Sequence, residues 1–373
     1  MSVAPQKNFA LFFTRGLSLE KWDQIGMFER EVALYRLTAV SFGTVYFFTY
    51  GGKKDLSYAS RLPSNVVIVP KPAHIPVMLY SLILPFIHAR TLRRVSILKT
   101  NQMDGSWAAV IAKNLYGGKL IVRCGYEWLQ FIERSGRGWA KRTFAYLVEK
   151  FAYANADRIV VTSKGSQDFI TDRFGVPPAL IVTIPNYVDT ELFAPLQHTK
   201  ETGRLITVGR LEPQKNLPVL LNAIKGIDLT LTIIGSGSQK DMLADRAVTN
   251  GSSVVLKGNL SQKEIVGEFN NSEVFILPSL YEGHPKTLLE AMACGMACIG
   301  SDIPGIADTI TDGVDGLLCG TDEQSIRTSI EKLLTNESMR VSLGIQARHT
   351  VLEKYSLDAV VKRELDLYHS LLS

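Results

Sequence analysis

At 373 residues, 46% of them hydrophobic and 21% charged, the chain is long enough for two ordinary domains and too apolar to be disordered. No run of about 18 apolar residues occurs, which excludes a membrane-spanning helix. The four scattered cysteines (Cys124, Cys294, Cys298, Cys319) lack metal-site spacing and suit a reduced, cytoplasmic chain. The net charge of +5 is unevenly spread, with 24 Lys and Arg against 14 Asp and Glu in residues 1–195, and 17 against 22 in the remainder.

In chain order, residues 9–13 form a short apolar run with Arg15 behind it, which reads as a first strand rather than a signal peptide. The turn Thr14-Arg15-Gly16-Leu17-Ser18 follows, where Gly16 lets backbone approach a ligand. Residues 45–50, 65–69, 95–99, 120–123 and 158–162 continue the strands, with helical patterns such as 106–116 and 139–154 between them. Residues 75–87 are strongly apolar, but too short to span a bilayer and interrupted by Pro76 and Pro85. A linker is expected near 189–203, where Pro195 and polar residues break the pattern. Strands at 204–208, 229–234, 254–257, 274–277 and 297–300 then repeat the alternation, and residues 357–372 form an amphipathic terminal helix. Strands alternating with helices predict an α/β fold of two doubly wound, Rossmann-like domains, each taking ligands at the carboxyl ends of its strands. The expected boundaries are 1–195 and 203–356, with 357–373 as the terminal helix.

The chemistry concentrates in the second half. The run Tyr281-Glu282-Gly283-His284-Pro285-Lys286-Thr287-Leu288-Leu289-Glu290 follows the buried strand 274–277, so it reads as strand, tight loop and helix start. Pro285 is expected at the first helical position, and the open N–H groups there suit a phosphate. Glu282 in the loop and Glu290 about one turn into the helix can hold sugar and ribose hydroxyls on either side of a diphosphate. Alone, each glutamate would pass for a solvated helix-end charge. Strand 204–208 ends in Gly209-Arg210-Leu211-Glu212-Pro213-Gln214-Lys215, where Arg210 can grip a diphosphate bidentately and Lys215 adds a mobile point charge. Gly235-Ser236-Gly237 lacks the third glycine of a dinucleotide fingerprint and suits close packing better than a phosphate cradle. Backbone around Asn259 could read a nucleobase edge, while Leu260 could pack on the ring.

These motifs resemble those of family 4 retaining glycosyltransferases with the GT-B architecture. The resemblance rests on Val208-Gly209-Arg210 with Lys215-Asn216, on Ile234-Gly235-Ser236-Gly237, and on Glu282 through Glu290 followed by Ala291-Met292-Ala293-Cys294-Gly295. Ile184-Pro185-Asn186 with Val188-Asp189, Ser301-Asp302 with Gly305, and Asp312-Gly313 with Gly316 extend it across the carboxyl-terminal half and linker. The first half matches only in strand–helix order and Gly16.

The resemblance implies two domains facing a central cleft, with the terminal helix crossing back to an acceptor-binding first domain. The second domain would bind a nucleoside-diphosphate sugar. Arg210 and Lys215 would neutralise the diphosphate and Glu290 would hold the ribose. Glu282 would hold the transferred sugar, with Gly283, His284, Lys286 and Thr287 around the phosphate. Arg210, Lys215 and Glu282 are thus the expected catalytic residues. No metal or other cofactor is expected, since no Asp-x-Asp or His/Asp cluster occurs. Similar enzymes often carry a histidine after a strand of the first domain; here that stretch is Ile121-Val122-Arg123-Cys124-Gly125-Tyr126-Glu127-Trp128, with none.

The acceptor is expected to be a glycan or lipid-linked saccharide of cell-surface polysaccharide or glycoconjugate synthesis. The basic half carries Lys53-Lys54, Arg90, Arg93-Arg94, Lys99, Arg134, Arg137 and Lys141-Arg142, interleaved with Tyr80, Phe86, Trp128, Phe131, Trp139 and Phe144. That pattern suits peripheral contact with an anionic membrane at its inner face, and equally suits solvated helix faces over core aromatics. Nucleic acid fits poorly because no recognition motif accompanies the charge. An epimerase or hydrolase of sugar nucleotides, or a non-catalytic sugar-nucleotide binder, would use the same fold.

Overall fold

The computed structural model describes residues 7–134, 138–196 and 201–373. The chain divides into two units, Met1–Ile184 with Val361–Ser373, and Pro185–Val360. The first holds a seven-stranded sheet in the order β3-β2-β1-β4-β5-β6-β7. Its strands are β1 (Asn8–Phe12), β2 (Val45–Phe48), β3 (Val66–Val69), β4 (Val95–Thr100), β5 (Lys119–Cys124), β6 (Arg158–Val161) and β7 (Ile181–Thr183), all paired in parallel. The second holds six parallel strands in the order β10-β9-β8-β11-β12-β13. These are β8 (Arg204–Val208), β9 (Thr230–Ile234), β10 (Ser253–Gly258), β11 (Val274–Leu277), β12 (Ala297–Ser301) and β13 (Leu317–Cys319).

Central position explains composition. β11 and β12 are buried along their whole length, and only Ser301 at the end of β12 interrupts their apolar runs, because helices cover both faces. Edge strand β10 alternates, turning Ser253, Val255 and Lys257 outward. The strands missing from the sequence reading, β7 and β13, are three-residue edge strands, too short to carry a period.

The boundaries differ from the expected ones. The first unit ends at Ile184 rather than 195, because the chain after β7 already packs with the second unit. There the Val188 N–H donates to the Tyr355 carbonyl at 3.0 Å, and Val188 and Phe193 are buried in the core that holds Phe275 and Leu289. The terminal helix Leu357–Leu372 starts in the second unit and belongs to the first from Val361 onward. Residues 75–87 contain the helix Val77–Ile87 with Pro85 inside it. No helix among the described residues is long and apolar enough to cross a membrane.

Lys99 corrects the reading of the basic half. It is not a surface charge: it points from β4 into the core, fully buried, and donates to Glu364 Oε1 at 2.6 Å and Tyr368 Oη at 2.9 Å. Both partners lie on the terminal helix, where the Tyr368 ring also packs against Phe9 at a tilt of 56°, 5.5 Å between ring centres. Burial pushes the Lys99 ammonium down to about 8, with Glu364 opposing and Arg123 assisting. Burial alone would raise the Glu364 carboxyl, but Lys99 and Arg123 overcome it and hold it below the usual range. Tyr80 is likewise buried rather than surface-borne, while Arg137 and the side chain of Arg134 fall outside the described residues.

Breaking a buried pair from one side strands the other charge, so Glu364→Leu should cost about 3–5 kcal/mol, and adding Lys99→Met should restore most of it. Urea unfolding measures both; a single variant within about 1 kcal/mol of the parent would mean that water reaches Lys99.

Candidate active site

Strands β8 and β11 are neighbours, yet β8 leads to β9 on one side and β11 to β12 on the other. The crevice outside their carboxyl ends is the switch point where an open α/β sheet receives its ligand. The loops leaving these two strands carry residues 210–215 and 282–286.

The β8 loop is held by close backbone packing. Gly209 N–H donates to Ile234 O, and Leu211 N–H to Ser236 O, both at 2.9 Å. Gly235 adopts φ +138°, and a Cβ there would collide with the Gly209 carbonyl oxygen; one on Gly237 would collide with the Leu211 backbone. These glycines serve loop packing, as their spacing suggested. Ser238 donates to Glu212 through its N–H at 3.0 Å and its hydroxyl at 2.7 Å, which keeps the Glu212 carboxyl below its ordinary range. Asn216 then turns the chain into the helix Leu217–Ala223 at φ +55°, with its amide donating to Thr321 O at 2.8 Å.

The β11 loop meets it directly. Lys215 Nζ donates to Glu282 Oε1 at 2.6 Å, and Ser279 Oγ donates to the same oxygen at 2.7 Å. Gln214 Nε2 donates to Tyr281 O at 2.8 Å, and Leu280 N–H returns to Gln214 O at 2.9 Å. Gly305, at φ +85°, seats the following loop against Glu282 and Gly283, where a Cβ would strike the Gly283 carbonyl.

Pro285 is the N-cap of the helix Lys286–Ala293, one position earlier than expected. No side chain caps that helix and no acid lies in its first turn, so its start stays electropositive. Glu290 lies one turn in, buried with 6% exposure, while Lys286 and Thr287 are half-buried.

Among the other expected residues, Arg210 is exposed, with its guanidinium 3.4 Å from Gln214 Oε1. The His284 ring is buried against Tyr355 at 5.3 Å, and its carbonyl accepts from Asn186 Nδ2 at 2.8 Å. The Lys286 ammonium lies 5.9 Å over the Tyr187 ring. Asn259 is exposed after edge strand β10, two strands from β8, and Leu260 packs partly buried against the core. The sequence reading overlooked Ser279 and Gln214. Ser279 stands three residues before Glu282, a spacing that marks local hydroxyl bonding; the Gln214 bridge had no local signal.

The first unit has its own reversal between β1 and β4. Gly16 sits there at φ +81° with open space where a Cβ would go. Beside it Arg15 grips Asp104 through two bonds of 2.8 and 3.2 Å, a pair absent from the sequence reading.

A sequence model described as "Glycosyl transferases group 1" matches residues 188–350, and one described as "Glycosyltransferase Family 4" matches 43–192. The chain belongs to the family 4 glycosyltransferases. It is 27% identical to the UDP-Gal:alpha-D-GlcNAc-diphosphoundecaprenol alpha-1,3-galactosyltransferase of Escherichia coli, over 74% of this chain and 75% of that one. It is also 27% identical to an uncharacterized glycosyltransferase of Methanocaldococcus jannaschii, over 60% of this chain but only 62% of that relative's length. Sucrose-phosphate synthase from Thermosynechococcus elongatus superposes with a TM-score of 0.79 at 20% identity, covering 98% of this chain and 99% of that one. HepE of Anabaena in complex with UDP superposes at 0.76 with 14% identity, covering 98% and 100%. These superpositions identify the fold as that of GT-B glycosyltransferases.

In this family member, the stretch after β5 that lacks a histidine is backed by a carboxyl. Glu149 reaches from the helix Trp139–Asn155 to accept the Trp128 N–H at 3.0 Å. Burial pushes its pKa up to about 8, against the pull of the Leu129 and Trp128 N–H groups. Its ordinary value is 4.5, so folding takes up a proton between pH 4.5 and about 8, and stability falls as pH rises across that window. Glu149→Gln keeps the acceptor and removes the titration. Its melting temperature should exceed the parent's at the alkaline end of that window and approach it at the acid end; a pH-independent difference would mean that Glu149 holds no extra proton.

Proposed function

We propose that the chain transfers a sugar, with retention of anomeric configuration, from a nucleoside-diphosphate sugar to a saccharide or lipid-linked acceptor. The observation that carries this reading is the Lys215–Glu282 contact of 2.6 Å at the β8/β11 switch point, beside an uncapped helix start. One cation and one carboxylate, each little exposed, neutralise one another while no anion is near. A bound diphosphate competes for Lys215 and releases Glu282 to accept hydroxyl protons from the sugar. On this reading Glu290, one turn further along, holds the ribose hydroxyls. The relatives' printed names support the substrate class, and HepE's complex with UDP supports a nucleoside diphosphate as the donor's leaving part.

As the bond from the anomeric carbon to the diphosphate breaks, negative charge develops on the leaving oxygen. Arg210, Lys215 and the N–H groups at the start of Lys286–Ala293 stabilise that charge, and no metal is assigned a step. The acceptor hydroxyl attacks from the same face and passes its proton to the departing phosphate oxygen, which conserves the configuration. A first-formed bond to Glu282 would be the double-displacement alternative. The reading places the enzyme in the cytoplasm, with the acceptor at or near the inner membrane surface.

Lys215→Ala should retain the fold by circular dichroism and lower kcat roughly 10²–10³-fold, by analogy with loss of one oxyanion donor. Near-normal turnover would remove Lys215 from the diphosphate. Proton NMR of the first-formed product should show the donor's anomeric configuration; inversion would rule out the same-face route.

A further inference from the structure

The helix Val77–Ile87 has an anomaly: it is apolar on both sides. One side, with Tyr80, Ser81 and Leu84, is buried. On the other, Met78, Leu79, Leu82 and Phe86 fall within about 100° of one another and stand exposed, Leu79 at 48% and Phe86 at 57%. A helix hydrophobic all round is ordinarily buried, and a contiguous exposed stripe marks an interaction surface.

The charge beside the stripe says what covers it. Residues 71–94 contain Lys71, Arg90, Arg93 and Arg94 and no acidic residue, and the three arginines are exposed. The helix Trp139–Asn155 presents the same combination. Trp139 is 79% exposed, and Phe144, Leu147 and Phe151 also stand out, interleaved with exposed Lys141, Arg142 and Lys150. Its one acid, Glu149, points inward. Both helices flank Ser106–Tyr116: Trp107 donates its indole N–H to Ser81 Oγ at 3.3 Å and meets Phe144 edge-on at 6.2 Å. The two apolar-and-basic faces thus belong to one layer of the first unit.

We propose that this layer docks on an anionic lipid bilayer, the Met78–Leu82–Phe86 stripe and Trp139 entering the headgroup boundary while the arginines and lysines meet lipid phosphates. Trp, Phe and Leu on one side with Lys and Arg at the edge is the composition of interfacial helices. A second copy of the chain fits worse, because a two-fold contact would set this predominantly basic face, where Glu133 meets only Arg142 at 3.1 Å and Arg173 at 3.4 Å, against itself. The inference deepens the proposed function by naming the surface that meets a membrane-borne acceptor, and rests on that reading only for its purpose.

Flotation of the purified chain tests it, with vesicles of phosphatidylcholine plus phosphatidylglycerol against vesicles of phosphatidylcholine alone. Binding is expected to the anionic vesicles and to fall with added salt. Leu82→Asp with Phe86→Asp should abolish it, and Arg90→Gln with Arg94→Gln should weaken it about fivefold per arginine. Thermal shift with a nucleoside diphosphate should be unchanged in all variants, which shows that they fold. Absence of binding to anionic vesicles overturns the proposal, as does binding that survives Leu82→Asp with Phe86→Asp. A dimer in solution that these same substitutions dissociate would also overturn it, by assigning the stripe to a second copy. Vesicle binding without any nucleotide response would leave the docking surface standing and sink the transferase reading instead.

Discussion

Two loops share one ion pair between residues 67 apart in sequence, Lys215 and Glu282, because β8 and β11 are parallel neighbours that end at the same edge of the sheet. The reversal of strand order at this point leaves the edge uncovered, since each connection runs away from it. Everything else in the site adjusts to that geometry. Glycines at 235, 237 and 305 remove side chains where the loops after β9 and β12 crowd those after β8 and β11, and Gln214 ties the β8 loop to the β11 loop through its side-chain amide and its backbone carbonyl. The pair itself keeps both charges compensated in a confined place, which lowers the cost of holding them there without an anion.

The two principal ion pairs differ in kind. Lys99 and Glu364 are fully enclosed, and exchange with water or an anion would require opening the core; their contact serves to seat the terminal helix. Lys215 and Glu282 keep 13% and 10% of their side-chain surface exposed, at a strand edge rather than within a layer. On the proposed reading, a diphosphate replaces the carboxylate there without disturbing the sheet. The difference follows from depth: a pair between helix and sheet is structural, and a pair between two loops above a sheet edge is open to exchange.

The alternation of apolar runs and helical patterns made both sheets legible from composition, because a strand buried on both faces has to be apolar along its length. The helix Ser106–Tyr116 and strands β8 and β11 fall where periodicity puts them. The short edge strands β7 and β13 escaped notice, having too few residues to show a period. Lys99 was misplaced for a related reason: a lysine beside apolar residues looks the same in sequence whether it snorkels to water or meets a buried carboxylate 265 residues away.

For the site, the sequence by itself determined the chemistry on offer: two cations after one strand, two glutamates around a helix start after another, and glycines between them. Residue type and local spacing decide those, because capping, turns and helix starts are interactions within a few residues. Only the tertiary structure decided that Lys215 faces Glu282, that Arg15 grips Asp104, that Glu149 backs the stretch lacking a histidine, and that Val77–Ile87 leaves one apolar side uncovered. Each of these depends on which elements become neighbours, and that is set by the packing of whole layers rather than by any local stretch of chain.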